Sequence, residues 1–408
     1  MTDPATRRVM DALRAKGADV RFVGGCVRDA VLKRPVADID IATPDRPETV
    51  VELLEAAGIK AVPTGIKHGT VTAVAGGKPF EITTLRLDLA TDGRHAKVAY
   101  TDDWIADAAR RDFTINAMSC TPEGDIYDPF HGLADLGAEI VRFVGVPRQR
   151  IEEDYLRLLR FFRMYATYGA PPPDAEALAA CHQLAPNLVT LSAERIRAEI
   201  LRILVAPNAA DTVALMRGER ILEQILPEAE NLGRLRMVCW LETTAIRLDS
   251  VAPDPIRRLA SLLGGDPGDA AAVADRLRLS KREAARLKVL AAPSADLSPT
   301  IGMRSVHAAI YRFGVEAARD WLLLAWAGEM AVEPRRESGR SQAWIALLEA
   351  TETWKSPRFP LTGKDVTAQG VPKGPRVGEL LEAVESWWIG SDFAADRDAC
   401  IGELRNRI

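Results

Sequence analysis

Apolar and polar positions follow two rhythms along this chain, and the change between them falls near residue 139. Before it, short segments of period two alternate with brief helical patterns. "ADVRFVGG" predicts a short strand ending in a glycine turn, and "CVRDAVLKR" continues it as a helix. In "VADIDIAT" the alternation is strict, so Ile39 and Ile41 share one strand face while Asp38 and Asp40 share the other. "RPETVVELLEAAG" predicts a helix with Pro47 in its first turn and Gly58 as its stop. "TVTAVAGGKPFEITTLR" predicts two antiparallel strands joined around Gly76-Gly77. "LDLATDGRHAKVAYTDD", from Leu87 to Asp103, has no period and many polar residues; a mobile loop is expected there.

Past residue 139 the period is close to 3.6. "PRQRIEEDYLRLLRFFRMYATYG" predicts one long helix, with Ile151, Tyr155, Leu158, Leu159 and Phe162 on its apolar face. After a proline break come "PPPDAEALAACHQLAPNL" and "SAERIRAEILRILVAP", the second opening like a capped helix. From 207 to about 350, apolar helical segments are punctuated by "GGDPGDA" and by "VEPRRESGRSQ", whose charged run reads as a solvated loop. The closing "FPLTGKDVTAQGVPKGPRVGELLEAVESWW" holds glycine–proline turns and then one amphipathic helix. The fold class expected is α+β: a mixed-sheet head over residues 1–138, then an all-α neck (139–206), body (207–355) and tail (356–408). A chain of 408 residues is in any case too long for one ordinary core.

Composition narrows the picture further. Hydrophobic content of 47% is ample for burial, and a net charge of -4 gives no bulk attraction to nucleic acid, so any polyanion must be held by local basic clusters. The five cysteines, Cys26, Cys120, Cys181, Cys239 and Cys400, have no metal-ligand spacing and read as reduced thiols. The five histidines, His68, His95, His131, His182 and His307, show none either, and no His-Asp dipeptide occurs, so no metal phosphohydrolase domain is expected. The N-terminus is charged and no apolar run could span a bilayer; a soluble, cytoplasmic protein is expected, with no membrane partner.

One window concentrates chemistry. Two carboxylates at i and i+2 on a strand face repel unless a cation sits between them, and oxygen-only ligands suit Mg²⁺, which fills its shell with water and substrate phosphates. Just upstream, Gly24-Gly25 can cradle a triphosphate on bare backbone N–H groups, and Arg28 can neutralise it. Taken singly, a D-x-D is commonly a solvated strand face and a Gly-Gly a plain turn. Glu81, on "FEITTLR", is a candidate third carboxylate, or equally a solvent-facing strand residue.

The ordered motifs carry a resemblance. "VGGCVRDAVLKRPVADIDIAT" resembles motif A of the class II tRNA nucleotidyltransferases, the bacterial CCA-adding and poly(A) polymerase family. "DAARRDFTINAM" resembles motif B, "DPFHGLADLGAEIVR" motif C, and "EEDYLRLLRFFRM" motif D, in family order. The resemblance implies a polymerase-beta-like head and metal binding by Asp38 and Asp40. It implies nucleotide contacts by Gly25, Arg28, Arg111, Asp154, Arg157, Arg160 and Arg163, with Asp112 and Asn116 near the ribose. In "RRDFTINAM", Phe113, Ile115 and Met118 also read as core, with Arg110 or Arg111 pairing to Asp112.

Asp154 and Arg157 lie at i and i+3 on the long helix and are expected as neighbours on its surface, with Arg163 nearly opposite Asp154. A carboxylate accepts and a guanidinium donates. Cytosine and adenine each offer an amino donor beside an unprotonated ring nitrogen, whereas guanine and uracil offer the reverse. The pair therefore suits C and A. The expected activity is Mg²⁺-dependent addition of C, C and A to tRNA 3′ ends from CTP and ATP, with Lys364, Lys373 and Arg376 of the tail gripping the tRNA elbow, or else merely decorating loops. A poly(A) polymerase, a CC-only or A-only enzyme, and a non-catalytic RNA-binding helical protein are the alternatives; the resemblance favours CCA addition, because "LTGKDVTAQGVPKGPRVGELL" is similar to the tail of CCA-adding members and the basic insertion distinctive of poly(A) polymerases after motif A is missing.

Overall fold

The computed structural model describes residues 1–408 except 66–68, 92–95, 294–296 and 334–338. The chain forms two compact units, Met1–Pro227 and Glu228–Ile408. The boundary expected after residue 206 falls inside the first unit. His68, His95 and most of the charged run at 333–340 lie outside the described residues.

In the first unit, β1 (Arg21–Val23), β2 (Asp40–Thr43), β3 (Lys60–Gly65), β4 (Thr70–Ala75), β5 (Lys78–Thr84), β8 (Ser119–Cys120) and β9 (Ile126–Tyr127) build a sheet in the order β3-β4-β5-β2-β1-β8-β9. The β2–β5 pair is parallel and the other neighbours antiparallel, so the sheet is mixed, as the α+β reading expects. One face carries Phe22, Ile41, Val71, Phe80 and Ile82, all buried. Helices α1 (Pro4–Leu13) and α3 (Pro47–Ala56) cover that face. Burial of each such side chain stabilises the fold by roughly 1.5–3 kcal/mol. Between β1 and β2 lies the short α2 (Gly25–Val31).

Two expectations about this region change. "VADIDIAT" is a strand only from Asp40, because β1 is three residues long and pairs only as far as Phe22↔Ile41, which leaves the residues ahead of Asp40 without that neighbour. The stretch expected as a mobile loop contains a two-stranded ribbon, β6 (Arg86–Thr91) with β7 (Ala96–Tyr100). A ribbon outside the main sheet needs no apolar alternation to pair its backbone, so its sequence does not show it. Strands β3, β8 and β9 were not anticipated either.

The first unit continues through α4 (Trp104–Ala109) and α5 (Gly132–Gly137) into α6 (Pro147–Glu153), α7 (Leu156–Tyr168), α8 (Ala175–Leu184), α9 (Ala193–Val205), α10 (Ala209–Gly218) and α11 (Ile221–Ile225). An aromatic chain ties α7 to the head: the rings of Phe113 and Phe143 are 4.8 Å apart, Phe143 and Phe161 5.8 Å, Phe161 and Phe162 5.3 Å. Ser192 precedes α9 as expected, but its hydroxyl makes no capping bond and is buried without a partner.

The second unit is helical. Its core holds a buried ionic cluster in which Arg257 reaches Glu242 at 2.6 Å and Asp320 at 2.7 Å, while Arg286 reaches Asp320 at 2.6 Å. Residues 356–408 hold three helices, Gly363–Ala368, Pro375–Gly390 and Arg397–Arg407, around Val366, Val384, Trp388 and Cys400; the first lies among the expected turns, the second is the expected amphipathic helix, and the third follows that stretch. Among the described residues no helix is long and apolar enough to cross a membrane.

Candidate active site

The site begins where β1 ends. Gly24 takes φ 72°, and a Cβ there would stand 3.0 Å from the Arg111 guanidinium, so the turn needs a residue without a side chain. The N–H of Gly24 bonds the Met118 carbonyl at 3.1 Å, tying the turn to "RRDFTINAM". Arg28, one turn into α2, is buried and already engaged. It pairs with Asp29 at 3.0 Å, donates to Asn116 Oδ1 at 2.5 Å, and lies 4.1 Å from the Tyr168 ring centroid.

Gly24, Gly25 and Arg28 line a cleft of about 610 Å³ together with Asp38, Asp40, Arg111, Asp112, Asn116, Asp154, Arg157, Arg160 and Arg163. Every candidate except Glu81 is thus brought to one cavity, although they come from segments more than a hundred residues apart. Asp38 stands just ahead of β2 and is exposed; Asp40 opens the strand and is half-buried. Glu81 is exposed on β5, in register with Asp40 across the parallel pair. Burial pushes the Asp40 carboxyl above the ordinary aspartate range, the charge of Glu81 adds to this, and Asp38 contributes too, with only Arg111 opposing. Negative charge is therefore gathered here at a cost that a divalent cation would remove, and the donors are oxygens, as Mg²⁺ requires. Among the described residues no three His, Cys, Asp or Glu side chains form a cage of their own. Such a set suits an ion that keeps water and takes up substrate phosphate.

Asp112 organises the adjoining wall. It does not pair with Arg110 or Arg111, which both turn back to Asp107 at 2.8 and 3.2 Å, one turn earlier on α4. Asp112 instead binds Arg160 of α7 at 2.5 Å and accepts from Asn116 Nδ2 at 3.1 Å. Burial would raise the Asp112 carboxyl, but Arg160, Asn116 and the Phe113 N–H hold it below the ordinary range. Asn116 in turn accepts from Arg28, so one chain of bonds runs from the glycine-turn helix to α7. Phe113, Ile115 and Met118 are fully buried beneath it, as expected.

The helix expected over 147–169 is broken at Asp154, whose backbone is extended (φ −156°, ψ 108°). The i, i+3 argument therefore fails: Asp154 and Arg157 are not neighbours on one helix surface. The break has a local cause. Asp154 Oδ1 accepts from the N–H of Leu156 at 3.1 Å and its carbonyl from that of Arg157 at 2.9 Å, so Asp154 starts α7 instead of continuing α6. Both side chains still line the cleft. Arg157 is braced by Glu153 and by the Arg150 carbonyl at 2.9 Å, while Arg163 reaches Glu199 at 2.6 Å.

The sequence reading missed Arg195 and Arg202 of α9, which also line the cleft. Arg195 donates to Asp154 Oδ2 at 2.6 Å. Arg195, Glu199 and Arg202 at i, i+4 and i+7 form a charged stripe on a helix, the signal that could have exposed them. In the second unit, Lys364 and Lys373 border an open cavity of about 600 Å³ with Thr362 and Gly374, whereas Arg376 pairs with Glu379.

Paired carboxylates beside a glycine turn, facing a wall of arginines, define the class: an enzyme that transfers nucleotidyl groups from a nucleoside triphosphate. Comparison with known proteins agrees. Residues 20–142 match the poly A polymerase head domain, and residues 173–232 the probable RNA and SrmB-binding site of polymerase A. The chain is 33% identical over 397 residues to mitochondrial CCA tRNA nucleotidyltransferase 1 of Mus musculus, covering 95% of this chain and 86% of that protein. It is 30% identical over 388 residues to the CCA-adding enzyme of Lactobacillus johnsonii, covering 92% and 90%. The crystal structure of the Bacillus stearothermophilus CCA-adding enzyme in complex with CTP superposes with a TM-score of 0.76 over 100% of this chain and 98% of that one, at 26% identity. The chain belongs to the CCA-adding tRNA nucleotidyltransferase family.

Proposed function

We propose that this protein adds C, C and A in turn to the 3′ end of tRNA, taking CTP and ATP and releasing pyrophosphate. The observation that carries the reading is the single cleft lined by Asp38 and Asp40 at one place and by Asp154 and Arg157 at another. Asp38 and Asp40 would hold Mg²⁺, with Glu81, in register with Asp40 across the β2–β5 pair, as the candidate third carboxylate. Magnesium bound there supplies the Lewis acid that activates the attacking 3′-hydroxyl and stabilises the leaving pyrophosphate. Gly24 and Gly25 leave room for the triphosphate, Arg111 faces its charge, and the Asp112–Asn116–Arg28 chain holds the ribose side.

Asp154 and Arg157 choose the base. Asp154 accepts from the amino group of C or A, and Arg157 donates to the adjoining ring nitrogen; G and U leave both groups facing the wrong partner, at about 1–3 kcal/mol each. Arg160 fixes Asp112, and Arg163 braces Glu199 of α9. In functional terms we divide the chain into a catalytic head (1–138), a base-selecting neck (139–206), a body (207–355) and a tail (356–408) whose Lys364 and Lys373 meet tRNA phosphates. We place the reaction in the cytoplasm, in keeping with five free thiols.

The test is a tRNA transcript lacking CCA, incubated with each triphosphate separately and then with CTP and ATP together. The expected result is two CMP from CTP alone and one further AMP once ATP is present. Unlimited tailing with ATP would make it a poly(A) polymerase, and no Mg²⁺-dependent release of pyrophosphate would leave an RNA-binding protein without activity.

A further inference from the structure

A second cavity, of about 410 Å³, opens on the same side of the sheet as Asp40. Register sets this. Arg21 pairs with Ala42 across β1 and β2, and Val23 with Ser119 across β1 and β8, so Arg21, Val23, Ser119 and Asp40 project from one face. Arg111 borders both this cavity and the nucleotide cleft, so the two meet at that side chain. Inside, the Arg21 guanidinium lies 4.2 Å from the Trp104 ring centroid and 3.8 Å from that of Tyr127, anchored by Asp19 at 2.5 Å. Tyr127 and Ile105, at 47% and 61% exposure, leave apolar surface open to solvent.

The reaction proposed above has no use for this cavity until the RNA is considered. In-line transfer puts the attacking 3′-hydroxyl and the leaving pyrophosphate on opposite sides of the α-phosphorus. The triphosphate and its base occupy the wall of arginines from α7 and α9. The primer strand must therefore reach Asp38 and Asp40 from the other side, over the sheet face where this cavity lies.

We propose that the cavity receives the base of the unpaired 3′-terminal nucleotide of the RNA primer, stacked against Tyr127 and the surface it forms with Arg21 and Trp104. This rests on the proposed CCA addition. The chemistry fits a base of any identity. The terminal base changes after each addition, so a site reading one hydrogen-bonding edge would reject the enzyme's own intermediate products. Flat aromatic faces accept every base. The charged groups lining the cavity are already committed: Asp107 to Arg110 and Arg111, and Asp128 to the N–H groups of Gly132 and Leu133.

The experiment compares CMP addition to a tRNA transcript ending at the nucleotide before CCA with addition to the same RNA carrying an abasic 3′-terminal ribose. For the unaltered enzyme the abasic primer should raise the primer KM about ten-fold. Tyr127→Ala should raise the KM for the intact primer by a similar factor, leave the KM for CTP as it was, and abolish the difference between the two primers. Tyr127→Leu keeps apolar bulk and carries the same comparison should the alanine variant fold poorly. A variant that still tells the two primers apart as the unaltered enzyme does overturns the primer site alone. Failure of the unaltered enzyme to add CMP to the intact primer overturns the proposed function, and the primer site with it.

Discussion

Arg195 of α9 donates to Asp154 at 2.6 Å and so fixes the carboxylate that starts α7. The second oxygen of Asp154 is held by the N–H of Leu156, which leaves each oxygen one lone pair for a base. Under the proposed function Arg195 is a positioning residue, acting on the base through Asp154. Arg195→Met keeps the apolar stem and removes the donor. The expected result is a rise of about ten-fold in the KM for both CTP and ATP, with UMP and GMP incorporation increased, from loss of a charged hydrogen bond worth about 1.5 kcal/mol at this partly open site. Steady-state kinetics with each triphosphate check it; unchanged discrimination would mean that Asp154 is held without Arg195.

Asp40 should separate activity from stability. Its carboxyl is pushed up on folding, first by burial and then by Glu81, so folding binds a proton there more tightly than the unfolded chain does. The favourable part of that linkage is present at low pH and lost as pH rises through the folded value, and at neutral pH the charge is a net cost. Asp40→Asn should therefore leave the Tm in metal-free buffer unchanged or higher while lowering CMP addition a thousandfold or more. Adding Mg²⁺ at a hundred times its Kd should stabilise the unaltered protein by about 2.7 kcal/mol and the variant far less. Thermal unfolding with EDTA and with Mg²⁺ measures both; a variant that gains as much from Mg²⁺ as the parent would place the ion elsewhere.

What could be read along the chain was whatever depends on near neighbours. The Gly24-Gly25 turn, the β4–β5 hairpin and the Pro47 start of α3 are each specified within a few residues, and each is found. The break at Asp154 was not legible, because "IEEDYLRLLRFFR" keeps a helical period straight through it; an aspartate that can cap one helix or sit inside another shows its choice only when Arg195 and the N–H of Leu156 are in place. In the same way Asp112 has two arginines beside it in sequence and binds a third, Arg160, 48 residues away. Charges seek partners in space, and a sequence places partners only along the chain.

The ionic cluster of the second unit was equally invisible, and it makes a strong stability claim. Arg257 is held by Glu242 and Asp320, all three nearly wholly buried, and Asp320 also binds Arg286. Asp320→Ala leaves two guanidinium groups short of a partner, one of them, Arg257, almost shut off from water. A loss of about 3–5 kcal/mol is expected, against well under 1 kcal/mol for breaking the exposed Arg376–Glu379 pair by Glu379→Ala. Urea unfolding of the two variants compares them directly. Equal losses would mean that the buried cluster relaxes or takes in water when opened.

Asp112 gives a pH signature to the site itself. Burial would raise its carboxyl, yet Arg160, Asn116 and the Phe113 N–H together bring it below the ordinary range. For a lowered carboxyl the stabilisation is present above the unfolded aspartate value, about 3.9, and is lost as pH falls from there through the folded value. Asp112→Asn removes the charge and nearly preserves the shape. At pH 7 the variant should be less stable by about 2–3 kcal/mol, less than for a fully enclosed pair because Arg160 is a third open to solvent. As pH falls below about 4, the unfolded aspartate value, that gap should narrow, since the unaltered protein is then losing the same interaction. Unfolding free energies of both proteins across this range provide the measurement. A gap that stays constant with pH would mean that the variant's loss comes from packing around Asn116, and that the Asp112–Arg160 bridge contributes nothing to the hold between the head and α7.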